Sequence, residues 1–188
     1  MPRQVHVFDQ PERFVAGTVG QPGERQFYLQ ARDGARVVSV ALEKQQVQVR
    51  AERVDGLLDE VVRRTGGEAS VPATAPLGSD DLDPLDTPLT EEFRVGAMSL
   101  GWNGDTELVI IEAHRVVDDD DEAEVPDLEE DDEEGPDCLR VRLTGAAARA
   151  FAKRAMSVVS AGRPPCPFCN LPLEPSGHIC PRANGYRR

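Results

Sequence analysis

The residue pattern predicts an α+β protein with a mostly antiparallel sheet, two main helices and a small C-terminal zinc-binding module. Three observations carry this expectation. Short bursts of apolar residues at period two recur over residues 4–42, 93–117 and 138–143, the alternation of half-buried strands. Two stretches, after Leu42 and after Thr144, change to the helical period, with apolar positions three and four apart. Three of the four cysteines lie with a histidine inside 15 positions near the C-terminus, too few for a disulfide scaffold but the donor set of a metal site in a reducing compartment. A chain of 188 residues can bury one main core with additions. The expected division is a core domain over 1–162 and a zinc-binding tail over 163–188.

In chain order, strands are expected at Val5 and Val7, at Val15 to Val19, at Phe27 to Ala31 and at Val37 to Leu42. Turn residues separate them at Asp9 to Pro11, Gly20 to Gly23 and Asp33-Gly34, the last an antiparallel hairpin signal. Val47, Ala51, Val54, Leu57, Leu58, Val61 and Val62 then share one helical face up to Gly66-Gly67. Residues 68–91, rich in Pro, Asp, Ser and Thr, read as a long loop over the surface. A second hairpin is expected at Asn103-Gly104, with Leu108 to Ile111 a central strand covered by helices. Residues 118–137 read as a disordered acidic loop, followed by a strand over Cys138 to Leu143. Thr144 is placed to cap a last helix over Gly145 to Ser160, with Arg149 and Lys153 on its outer face and Gly162 as its left-handed stop before Pro164-Pro165.

The net charge of -13 is unevenly distributed. Residues 118–137 hold 14 of the 34 acids and no base, whereas residues 138–188 carry nine bases against the single acid Glu174. The charge pattern fits a solvated, independent acidic loop, or an acidic insert that lies part of the time near the basic C-terminal region and masks it. The longest apolar run, Leu108 to Ile111, is far short of the roughly 20 residues of a membrane span, and no leader pattern opens the chain, so a cytoplasmic protein is expected.

Cys166-Pro-Phe-Cys169 has the spacing of a zinc knuckle, and His178 with Cys180 completes four donors. A redox dithiol is the rival reading of this motif, but a helix precedes the motif and Pro172 and Pro175 follow it, so no helix can open on the cysteines. Four donors leave no open position for water, which makes the expected zinc structural, one per chain. Cys138, on the strand face of Arg140 and Arg142, reads as a half-buried thiol, and His6 and His114 as satisfied strand histidines. Gly17, Gly20 and Gly23 lack the following helix of a phosphate loop.

The segments VFDQPERFVAGTVG (7–20), FRVGAMSLGW (93–102) and GRPPCPFCNLPLEPSGHICPRANGYRR (162–188) resemble an actinobacterial family of uncharacterised proteins, a domain of unknown function covering nearly the whole chain. The resemblance implies no activity. It does imply a shared pathway, and so a possible protein partner, with a histidine-phosphatase-like and a lipid-kinase-like neighbour. Three functions are compatible with the residues. The first is a non-enzymatic adaptor or regulatory protein built on charged surfaces. The second is a nucleic-acid-binding protein using the basic region of Arg149, Lys153, Arg154, Arg182, Arg187 and Arg188. The third is a carboxylate-dependent enzyme using Asp80, Asp81, Asp83 and Asp86.

Overall fold

The computed structural model describes residues 3–117, 127–129, 135–162, 166–169, 171, 173 and 178–182. Its elements are β1 (Val5–Asp9), β2 (Arg13–Val19), β3 (Gln26–Asp33), β4 (Arg36–Leu42), α1 (Lys44–Thr65), β5 (Glu91–Asn103), β6 (Leu108–Arg115), β7 (Cys138–Thr144) and α2 (Gly145–Ser160). The β3/β4 hairpin forms as the sequence indicates, shifted by one residue. Asp33 pairs with Arg36, so the two turn residues are Gly34 and Ala35, and Gly34 takes the left-handed conformation at φ 56°. The second hairpin also forms, but its loop has four residues rather than two, because Asn103 pairs with Leu108. The Asn103 side chain accepts from the Asp105 and Thr106 amides, both at 3.0 Å, so it builds the turn from outside instead of sitting at its centre.

Both helices begin and end for local reasons. In α1, Glu43 and Gln46 form a reciprocal capping box, and Gly66 stops the helix in the left-handed conformation. In α2, the Thr144 hydroxyl accepts from the Ala147 amide at 3.2 Å. Its end departs from expectation: Ala161 closes the helix at φ -69°, with its amide donating to Ser157. Gly162 is not the left-handed stop.

The strand order is β1-β7-β6-β5-β4-β3-β2, a mixed sheet in which β1/β7 and β4/β5 run parallel and the other four pairs antiparallel. Consecutive strands β1 and β2 therefore occupy opposite edges. A flat sheet of seven strands would hold those edges about 29 Å apart, whereas the four residue steps from Asp9 to Arg13 span at most about 14 Å. The sheet must curl. The curl brings β1 against β4, where Arg36 donates to the Val7 carbonyl at 2.8 Å and stacks 4.2 Å over the Phe8 ring.

One face of the curled sheet carries Phe14, Leu29, Val40, Val95, Ile111 and Val141, and packs on both helices to make a single core. Phe14 stacks on Phe151 at 4.7 Å, which fixes α2 against β2. The other face has different cover. There Leu85, from the loop after α1, lies over Gly17, where a Cβ would come within 2.6 Å of it, and Leu128 lies over Gly101. The middle of the sheet is thus covered by helices on one face and, at Gly101 of β5 and Glu112 of β6, by residues 127–129 on the other. The disordered loop expected over 118–137 falls largely outside the described residues.

Candidate metal centre

Four donors converge beyond α2. Cys166, Cys169, His178 and Cys180 place their ligand atoms within 4.8 Å of one another, and Cys169 Sγ is 3.1 Å from His178 Nε2. Donors at about 2.0–2.3 Å around one tetrahedral ion lie about 3.3–3.8 Å apart, so the set can close on a single metal ion. The Cys166 amide donates to the Leu171 carbonyl at 2.8 Å, folding the chain back over the first thiol. The amides of Cys169 and Phe168 point at the Cys166 sulfur and bring its pKa down to about 6, the bias toward thiolate that a metal ligand needs. Cys169 is pushed upward, first by burial. Cys166 and Cys180 are buried, while Cys169 is partly open. Arg182 donates to the Phe168 carbonyl at 3.3 Å and holds the two halves of the site together.

A second set of donors, missed by sequence reasoning, lies on the outer sheet face. Glu112, His114 and Cys138 bring ligand atoms within 4.8 Å of one another, all fully buried. Register creates the cluster: Glu112 sits opposite Arg140, and His114 opposite Cys138. Glu112 receives Arg140 Nε at 2.5 Å and the Glu129 amide at 3.0 Å. Burial pushes the Glu112 carboxyl up most strongly, but His114, Arg140 and the Glu129 amide together bring it below the usual range. Burial likewise raises Cys138 to about 11, so it is a fully buried neutral thiol and not the half-buried one expected. His114 is not the satisfied histidine expected either: its Nε2 lies 3.3 Å from Glu112 Oε2, and neither ring nitrogen has a hydrogen-bond partner. The charge balance argues against a metal here. The Glu112 charge already faces Arg140, with Arg3 beside Cys138, and a dication would add to two guanidiniums at low dielectric. The visible signal was Glu112 and His114 alternating with apolar residues in a strand buried on both faces.

The chain belongs to the family described as protein of unknown function, DUF3090. Its family model covers residues 6–180, so all four tail donors fall within it and Cys180 is the last matched residue. No curated protein and no solved structure matches the chain.

The remaining expected site residues take structural positions. Asp81 receives Arg13 Nε at 2.6 Å and Arg154 Nη1 at 2.7 Å, Asp86 receives Arg13 Nη1 at 2.9 Å, and the Asp83 carbonyl accepts from both arginines. Lys153 pairs with Asp80 at 2.6 Å. These contacts tie the 68–91 loop to β2 and α2, and they leave no convergent pair of free carboxylates for acid–base work. Arg149 does not point outward as expected; it is buried against α1, pairing with Asp55 at 2.9 Å and Asp59 at 2.6 Å. Arg142 bridges Asp9 and Glu129 at 2.6 and 2.7 Å, one contact of the kind expected between insert and basic region. Arg187 and Arg188 lie outside the described residues. Among the described residues no helix is long and apolar enough to cross a membrane.

Proposed function

We propose that this chain is a cytoplasmic, non-enzymatic adaptor or regulatory protein carrying one structural zinc ion on Cys166, Cys169, His178 and Cys180. The observation that carries the reading is the closed donor set: three sulfurs and one imidazole within 4.8 Å of one another, the composition of structural zinc, with no position left for a substrate water. Bound there, zinc supplies folding energy to a tail with little apolar surface of its own. The partner proposed is a protein, with the histidine-phosphatase-like and kinase-like neighbours implied by family resemblance as first candidates. Nucleic acid fits less well, because Arg140, Arg142, Arg149, Lys153 and Arg154 are all engaged by carboxylates of the chain itself.

The test is metal content by elemental analysis of protein purified without added metal, together with the Cys169→Ser variant. Close to one zinc per chain, lost in the variant while the amide spectrum of residues 3–117 persists, supports the proposal. Absence of zinc, iron in its place, or a collapsed core in the variant overturns it. Affinity capture with the zinc-loaded chain and with Cys169→Ser then reads the adaptor role, which fails if both capture the same proteins equally.

A further inference from the structure

A cleft of about 470 Å³ opens between the first turns of α1 and the start of β5, lined by Gln45, Val49, Arg50, Arg53, Gly96 and Met98, with Glu43 and Gln46 also at its wall. Its volume falls in the range of small-molecule sites. Its chemistry is unusual for a surface cleft. Arg50 is 6% exposed, its Nε is buried without a hydrogen-bond partner, and among the described residues no carboxylate pairs with it. A buried guanidinium without a counter-ion is costly, since desolvation is offset only by a partner of opposite charge. Every other buried arginine of the described residues has such a partner: Arg140 has Glu112 and Arg149 has Asp55 and Asp59. Burial, and then the repulsion of the neighbouring Arg53, push the Arg50 pKa down to about 10, so the fold brings two cations together where one is already poorly solvated. The acid at the rim cannot relieve this, because Glu43 receives Arg94 at 2.7 Å and caps α1. Gln46 is also engaged, donating to the Val95 and Gly96 carbonyls.

We propose that the Arg50–Arg53 cleft is a binding site for a small phosphate ester. Two adjacent guanidiniums match the charge of a phosphate dianion and offer it bidentate donors, while Val49 and Met98 present apolar surface to the group the phosphate carries. The site is independent of the tail metal and of the adaptor reading.

Inorganic phosphate and phenyl phosphate are titrated into the full-length, metal-loaded chain at constant ionic strength, followed by amide and arginine Nε–H NMR shifts. The expected result is saturable shifts at Arg50, Arg53, Gly96 and Met98, with phenyl phosphate binding more tightly than inorganic phosphate. Arg50→Met should weaken phosphate binding at least tenfold and leave the ligand-free protein at least as heat-stable, because the unpaired charge is gone. Should that variant not fold, Arg53→Gln, at an exposed position, should weaken binding at least threefold. Unchanged affinity in either folded variant overturns the proposal. A third arm concerns the acidic insert, since Val116 packs against Gly96 at the cleft wall and residues 118–122 that follow are all acidic. Phosphate shifts that emerge only after residues 118–126 are deleted would assign the cleft to the chain's own carboxylates and refute the ligand site.

Discussion

Replacing Glu112 with Gln removes one charge from the most deeply buried ion pair of the sheet while keeping shape and the acceptor for the Glu129 amide. The side chains of Arg140 and Glu112 are 1% and 0% exposed, so water cannot substitute for the lost carboxylate. Removing one partner of such a pair costs about 3–5 kcal/mol, mostly because the remaining buried charge loses a counter-charge at contact distance. For a chain of this size each kcal/mol moves the melting midpoint by about 2–4 °C, so a fall of about 6–20 °C is expected. The double variant Glu112→Met with Arg140→Met removes both charges and should recover most of that loss, because replacing a whole buried pair by apolar groups is often neutral. Thermal and urea unfolding of the three proteins, with any metal content held equal, reads the cycle. If Glu112→Gln costs less than about 1 kcal/mol, the value of an exposed pair, or if the double variant is the least stable of the three, the reasoning about desolvation is wrong.

Two further outcomes follow from the loops that cover the sheet. Arg13 holds Asp81 below the usual carboxylate range; the stability it contributes is present above the unfolded pKa of about 3.9 and lost as pH falls through the lower folded value. In a Cys169→Ser background, which removes metal release as a second acid-sensitive event, the urea-midpoint gap between parent and Asp81→Asn should be open at pH 7 and shrink below pH 4; a gap independent of pH would show that Asp81 acts by shape alone. At Gly101 an added methyl would stand 2.3 Å from Leu128 Cδ2, so Gly101→Ala should destabilise the protein, and Leu128→Ala should rescue part of that loss with a coupling of about 0.5–3 kcal/mol. Additive losses would mean that Leu128 does not dock there in solution.

Local features of the chain were legible from its residues, and features that depend on cover were not. The Thr144 cap, the Gly66 stop and the 166/169/178/180 donor set depend on residues close in sequence, and each forms at or near its expected place. The pairing of β1 with β7, more than 130 residues apart, has no local signal, because Val5 and Val7 would alternate identically on any edge. His114 illustrates the limit further. It lies on the face opposite Ala113, but whether that face meets water depends on residues 127–129 returning across it, and an acidic sequence gives no hint of docking. Arg13, Arg149 and Arg154 were missed for the same reason: an arginine on an outer face looks solvated until the acids that converge on it are known.

Those arginines also change what charge removal should do. Deleting residues 120–134 takes out eleven acids, among them Glu129, whose partner Arg142 keeps Asp9 as a second carboxylate. Replacing Asp80, Asp81 and Asp86 with Asn removes three charges but deprives Lys153, Arg154 and Arg13 of their carboxylate partners, three cations gathered where the 68–91 loop meets α2. Free cations in a cluster attract a polyanion more than a distant change in net charge does, since exposed charges are screened beyond about 8 Å at physiological salt. Low-salt heparin retention, measured at a temperature where circular dichroism shows each variant folded, should therefore rise more per acid removed in the triple Asn variant than in the deletion. The opposite order, with the deletion gaining more per charge, would mean that the insert masks the basic region directly and that the loop carboxylates do not.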